Sequence, residues 1–458
     1  MDPIDPVHGT GVLLAIALAA VVLLLVLIIR VKLHAFIALV LVSLLTAVAT
    51  GIPLVDVPTA LTSGFGSTLA SVALLVGFGV MIGRLLEASG GAQVLADTLV
   101  SRFGERRAPL ALGVAAFLFG LPIFFDAGLV VFLPIVLTVA RRFGGSVLVY
   151  ALPAAGAFAA THALLPPHPG PVAAGTVMGG DLGVVLLVNL PIAVVAWYVG
   201  VYLFSRWVGS RVHVDVPTLL LGEEHDGGPD ATPPPVALVL SILLVPLVLI
   251  GLNTVLTTLV AGGTLAEGQR WIDALVLVGT TPVALLLTLL LAIGTLGRRG
   301  RSLAETGALL DASLGPVCSV ILITGAGGML GGVLRTSGVG AALTDSLGGL
   351  GVPLLLQAFL LAAALRVAQG SATVALTTAS GLVAAQTADL SDVQVALLVT
   401  AVAAGATVLS HVNDSGFWLV SRFFGLDVRT TLRTWTVMET TLGLSALALA
   451  AVAYPLVA

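Results

Sequence analysis

Apolar runs of about twenty residues recur along the whole of this 458-residue chain, and they constrain its fold more than any other feature. A helix rises 1.5 Å per residue, so about twenty apolar residues cross the roughly 30 Å hydrocarbon layer of a bilayer. Hydrophobic residues make up 58% of the chain and charged residues only 9%, where a soluble domain carries about a quarter charged residues. Such a chain has too little polar surface to stay in water, so the expected class is an all-α polytopic membrane protein with the lipid bilayer as its surroundings. The net charge is −4 and the 19 Lys and Arg are scattered among loops, which leaves no basic face for a nucleic acid. The one cysteine, Cys318, lies in an apolar run, so neither an intrachain disulfide nor a cysteine-based metal cluster is available. No cofactor is implied.

Ordinary spans are expected near 11–29, 34–51, 68–88, 183–206, 236–260, 272–296, 315–334 and 433–457. The first run follows acids rather than Lys or Arg and exceeds a signal core, so it reads as a span and not a secretory leader. Two stretches, Pro109–Phe143 and Val352–Gln386, are about 35 residues each and are interrupted by polar residues at mid-length. Residues 147–178 and 393–421 read as single spans broken by Pro, His, Asn and Asp. With the N-terminus outside, the inner loops receive nearly all the Lys and Arg, and the outer loops receive only Arg270 and Arg335. That is the asymmetry of the positive-inside rule. Basic clusters flank both ends of Pro109–Phe143, so it must begin and end on one side, as a re-entrant hairpin does. The expectation is ten crossings and two hairpins, with both termini outside. A hydrophilic connector at 209–235, with GEEHDGGPD and TPPP, divides an N-terminal half (1–208) from a C-terminal half (236–458).

The halves repeat one another. GFGVMIGRLLEASGG at 77–91 matches GAGGMLGGVLRTSGV at 325–339 at an offset of 248, and Thr161-His162 matches Ser410-His411 at 249. Hairpin, broken span and final span follow in the same order in each half. By the count of crossings the second unit is inverted, the architecture of alternating-access transporters with discontinuous helices. Glu87 and Arg335 fall at equivalent positions of the repeat and read as charges at span ends.

Four interruptions lie at membrane depth: LPIFFDAG (121–128), THALLPPHPGP (161–171), RVAQGSAT (366–373) and SHVNDSG (410–416). Unpaired backbone groups in hydrocarbon cost several kcal/mol each, so such breaks persist around a cavity or inside protein. Helices restarting after Asp126 and Gln369 aim N-terminal N–H groups at that cavity, which favours an anion. Thr161, Gln369, Gly370, Ser371, Thr373, Ser410, Asn413 and Ser415 supply hydroxyl, amide and backbone groups suited to a polyhydroxylated ligand. Arg366 is the one Lys or Arg placed deep in a membrane element, at a cost of about 2.5–3.5 kcal/mol. Its partner is either a substrate carboxylate or one of the acids Asp126 and Asp414. Those two acids are the candidates for carrying a proton, and the alternative for each is a hydrogen bond across a helix break. His162, His168 and His411 have no helical metal-ligand spacing; they read as structural or as relay and substrate-binding groups before metal ligands.

At these residues the chain resembles the gluconate:proton symporter (gluconate permease) family. The resemblance rests on GFGVMIGRLLEASGGAQ, FFDAGLVVFLPIV, THALLPPHPGP, RVAQGSATVA, HVNDSGFWLVSRFFG and TWTVMET, between Gly77 and Thr440. It implies proton-coupled uptake of gluconate or a related sugar acid across a bacterial inner membrane. It also implies the ion-transporter superfamily fold, with paired hairpins moving as an elevator, in a homodimer. A sodium-coupled or passive transporter of another small carboxylate is the alternative. A channel would need a polar stripe through many spans, and an intramembrane enzyme would need a GxSxG, HExxH or paired-Asp motif, which the chain lacks.

Overall fold

The computed structural model describes residues 7–457 apart from 92–93, 95–96, 99–103, Pro122, Pro167, 218–232, 262–263, 267, 300 and 340–351. Most of the expected connector at 209–235, and Pro167 of the second break, therefore lie outside the described residues. The described elements are helices throughout. Helix α1 (Thr10–Leu25) runs on to Arg30, and α2 (Ala35–Ala49) and α3 (Val57–Ala88) follow. The next four are α4 (Ala108–Gly120), α5 (Phe125–Phe143), α6 (Leu148–Leu164) and α7 (Pro169–Val177). Helix α8 (Leu182–Ala196) continues to Gly209. The second half holds α9 (Val236–Ala261), α10 (Arg270–Gly279), α11 (Thr281–Ala292) and α12 (Leu303–Thr336). It ends with α13 (Leu354–Gln369), α14 (Ala372–Val383), α15 (Asp392–Thr407), α16 (Ser415–Phe423) and α17 (Val437–Ala453).

Among the described residues, six helices are long and apolar enough to cross a membrane, or seven with one bent pair. That pair is the stretch expected as an ordinary span at 272–296. It bends by 68° between α10 and α11. Thr280 is extended there (φ −61°, ψ 138°), and Pro282 in the first turn of α11 has no N–H to continue the helix of α10. Hydropathy also understates α12, which starts at Leu303 rather than near 315. Its start is set by a capping box, Ser302 and Glu305 each accepting a backbone N–H at the helix end.

The four interrupted segments are each helix, break, helix. The first helix of each long stretch packs on the second, α4 on α5 and α13 on α14. Each first helix also packs on a broken span of its own half, α4 on α6 and α13 on α15. The segments after the breaks cross over: α7 packs on α14 of the other half, and α16 packs on α5. Between the halves, α3 lies along α12. Small residues set that spacing, since a Cβ on Gly332 would lie 2.7 Å from the Gly64 Cα. The breaks therefore meet at the centre of a fully helical core.

Candidate substrate site

Four helix N-termini end on one cavity of about 740 Å³. Its wall takes Phe124 to Asp126 from the start of α5, Pro169 from α7, Gly370 to Val374 from α14 and Asp414 to Gly416 from α16. Each N-terminus carries a partial positive charge and N–H groups with no partner in its own helix, except that α7 begins Pro169-Gly170-Pro171 and offers only the Gly170 N–H.

The break at 370–371 is shaped by its glycine. Gly370 ends α13 in the left-handed region (φ 74°), and a Cβ there would run into the backbone and side chain of Asn413. Ser371 then caps α14, its Oγ accepting from the Val374 N–H at 3.3 Å. The facing break, 408–414, is tied to it. Asn413 Nδ2 and His411 Nε2 both donate to the Val367 carbonyl, at 2.8 and 2.9 Å. Leu409 pays for the turn with a positive φ of 55°, and its N–H is held by Thr440 Oγ1.

Arg366 and Asp414 form a buried ion pair at the centre of this knot. Nη2 of Arg366 donates to Asp414 Oδ2, and Nη1 donates to the Gly370 carbonyl. Asp414 also accepts from Ser410 Oγ and, at 3.0 Å, from the Gly416 N–H, which makes it the cap of α16. Ser410 in turn accepts from Trp435 Nε1 at 2.9 Å. The guanidinium and the carboxylate thus neutralise one another across two breaks.

The first half is less occupied. Asp126 lines the cavity with no hydrogen bond or ion pair to any described residue. His162 faces the same cavity, its ring edge-on to His168 with centroids 5.1 Å apart and its Nδ1 buried without a partner. His168 instead donates from Nε2 to the carbonyl of Gly120, at the end of α4, at 2.8 Å.

Of the residues expected from sequence, the cavity wall gathers Asp126, His162, Arg366, Gln369, Gly370, Ser371, Thr373, Asn413, Asp414 and Ser415. Thr161, His168, Ser410 and His411 are placed behind the wall. The Thr161 hydroxyl bonds its own helix at Ala157, and the other three hold backbone or the Asp414 carboxylate. Two charged wall residues were not singled out as ligands. Glu439, in α17, is 4% exposed and its Oε1 has no partner; a lone acid in an apolar span was the available signal. Arg335, read as a span-end charge, also lines the cavity. Among the described residues, no three His, Cys, Asp or Glu are grouped as metal ligands.

Residues 12–456 match the model of a family described as GntP family permease. The chain is 39% identical over 440 residues to the inner membrane permease YgbN of Escherichia coli, covering 94% of this chain and 96% of that one. It is 38% identical over 437 residues to the gluconate permease of Pseudomonas aeruginosa, covering 94% and 95%. The Gnt-II system L-idonate transporter of Escherichia coli is 36% identical over 435 residues, covering 95% and 97%.

Proposed function

The chain belongs to the GntP family of permeases, and from that premise we propose that it carries gluconate or a related sugar acid inward across a bacterial inner membrane, driven by protons. The observation that carries the reading is the cavity itself, where four helix N-termini surround a carboxylate, Asp126, that has no hydrogen bond or ion pair to any described residue. The helix ends favour an anion. Gln369 Oε1, Asn413 Oδ1 and Glu439 Oε1 are buried acceptors without donors, and the hydroxyls of a sugar acid are the donors that suit them. Relatives named for gluconate and for L-idonate support the substrate class.

In this reading the hairpins α4–α5 and α13–α14 enter from opposite sides, related by an inverted repeat, and both termini face the periplasm. The same order of helix, break, helix in α4–α5 then α6–α7 and in α13–α14 then α15–α16 supports that repeat. Asp126 binds a proton and a substrate from outside, and both leave inward when the cavity is exposed to the cytoplasm. A homodimer is part of the same proposal, carried by the resemblance alone.

Labelled gluconate uptake into proteoliposomes, with proton and sodium gradients imposed separately, tests this. Accumulation above equilibrium under an inward proton gradient alone supports it. Accumulation that follows only sodium, or equilibration without accumulation, contradicts the proton coupling.

A further inference from the structure

We infer that Arg335, rather than Arg366, is the cation that takes the substrate's carboxylate. This rests on the sugar-acid reading and adds the residue that would make the site select an acid over a neutral polyol.

Two guanidiniums reach the cavity, and their surroundings differ. Arg366 is 4% exposed and is committed on two sides, to the Asp414 carboxylate and the Gly370 carbonyl. Binding a second carboxylate there would strand the first in a buried place, which costs several kcal/mol. Arg335 is half-buried in the wall and makes no hydrogen bond or ion pair with any described residue. A guanidinium taken partly out of water without a partner is unfavourable unless an anion joins it.

Its position fits that task. Arg335 lies on α12, and its Nη2 is 3.8 Å from the point a Cβ on Gly332 would occupy. The side chain therefore folds back along the helix toward its N-terminus, as long side chains in helices do. The turn it folds onto is the one that meets the hairpin tip, since a Cβ on Gly331 would lie 2.7 Å from the Gln369 carbonyl oxygen. Four residues of helix separate Gly331 from Arg335, about 6 Å of rise. The same turns face α3, where Thr68 sits against Gly328. Ser67 and Thr68 line the cavity from that side, and Ser371 and Thr373 line it from the tip. A carboxylate held by the Arg335 fork would leave a hydroxylated chain extending along these groups toward the tip. Gly328 and Gly331 line the same stretch of the cavity, and their missing side chains let Thr68 and the Gln369 carbonyl come close to α12 there.

The test is equilibrium binding of labelled gluconate to purified wild type, Arg335→Gln and Arg335→Lys, with glucitol as the neutral competitor and thermal unfolding of each protein alongside. Arg335→Gln is expected to weaken gluconate binding roughly 30-fold or more and leave glucitol competition unchanged, because a charge-assisted fork is lost. Arg335→Lys, which keeps the charge without the fork, should weaken it about tenfold. Both should unfold at the wild-type temperature, since no described residue depends on Arg335. Gluconate affinity unchanged in folded Arg335→Gln overturns the assignment; if that variant does not fold, unchanged affinity in Arg335→Lys does so. Wild type that binds no gluconate contradicts the substrate reading instead, and that control is measured first.

Discussion

The two broken spans use the same backbone device and are finished differently. In the second half, Asp414 of the 408–414 break is bonded to Arg366, Ser410 and the α16 N-terminus, and His411 and Asn413 each donate to the Val367 carbonyl, while His411 Nδ1 and Asn413 Oδ1 are buried without a partner. In the first half, His168 holds the Gly120 carbonyl, but the acid at its break, Asp126, has no hydrogen bond or ion pair to any described residue. A buried charge that is fully paired serves as framework, because any change in it costs stability. One that is unpaired beside a cavity is free to gain and lose a proton or a ligand. In the proposed function the two acids therefore divide the labour: Asp414 keeps the site in shape, and Asp126 changes state.

The largest effect should come from cutting the framework. Asp414→Ala strands the Arg366 guanidinium and removes the cap of α16, and a loss of about 3–5 kcal/mol is expected. Thermal unfolding of the purified protein should show it as a large drop or as failure to recover folded protein. Asp126→Ala, which removes no bond, should leave the unfolding temperature near wild type. Equal destabilisation by the two would erase the distinction between the halves.

Next is Gly370→Ala. The left-handed φ of 74° and the collision of a new Cβ with Asn413 put its cost at about 1–3 kcal/mol, read in the same unfolding measurement. A tolerated alanine would mean that the two breaks are not locked together at this point. Smaller still is Trp435→Phe, which removes the indole N–H that Ser410 accepts. About 1 kcal/mol is expected, with gluconate affinity unchanged if the network serves only as framework. A large loss of affinity at unchanged stability would move Trp435 from the framework to the site.

The positions of the breaks were legible in the sequence, and what was not has physical reasons. Breaks announce themselves because Pro, Gly, Asn and Asp at membrane depth violate the rule that spans stay helical. So the interruptions at 121–128, 161–171, 366–373 and 410–416 could be located by residue. The bend at Thr280 was hidden, because one threonine–proline step in an otherwise apolar run leaves hydropathy unchanged. Pairing was also beyond the sequence. Asp126 and Asp414 look alike as acids next to helix starts, and only packing decides that Asp414 meets Arg366 while Asp126 bonds to none of the described residues. Arg335 sits where a span ends, the usual place for a solvated charge. That α12 approaches α3 and the break at 370–371 through glycines is what turns it toward the cavity.

The claim that the unpaired carboxylate of the first half carries the coupling proton is tested most directly by Asp126→Asn in proteoliposomes. The amide keeps the shape of the acid and cannot take up and release a proton. Under an inward proton gradient the variant should fail to accumulate labelled gluconate, while exchange of labelled for unlabelled gluconate at equal pH persists and the unfolding temperature stays at the wild-type value. Accumulation against a gradient by folded Asp126→Asn would contradict it.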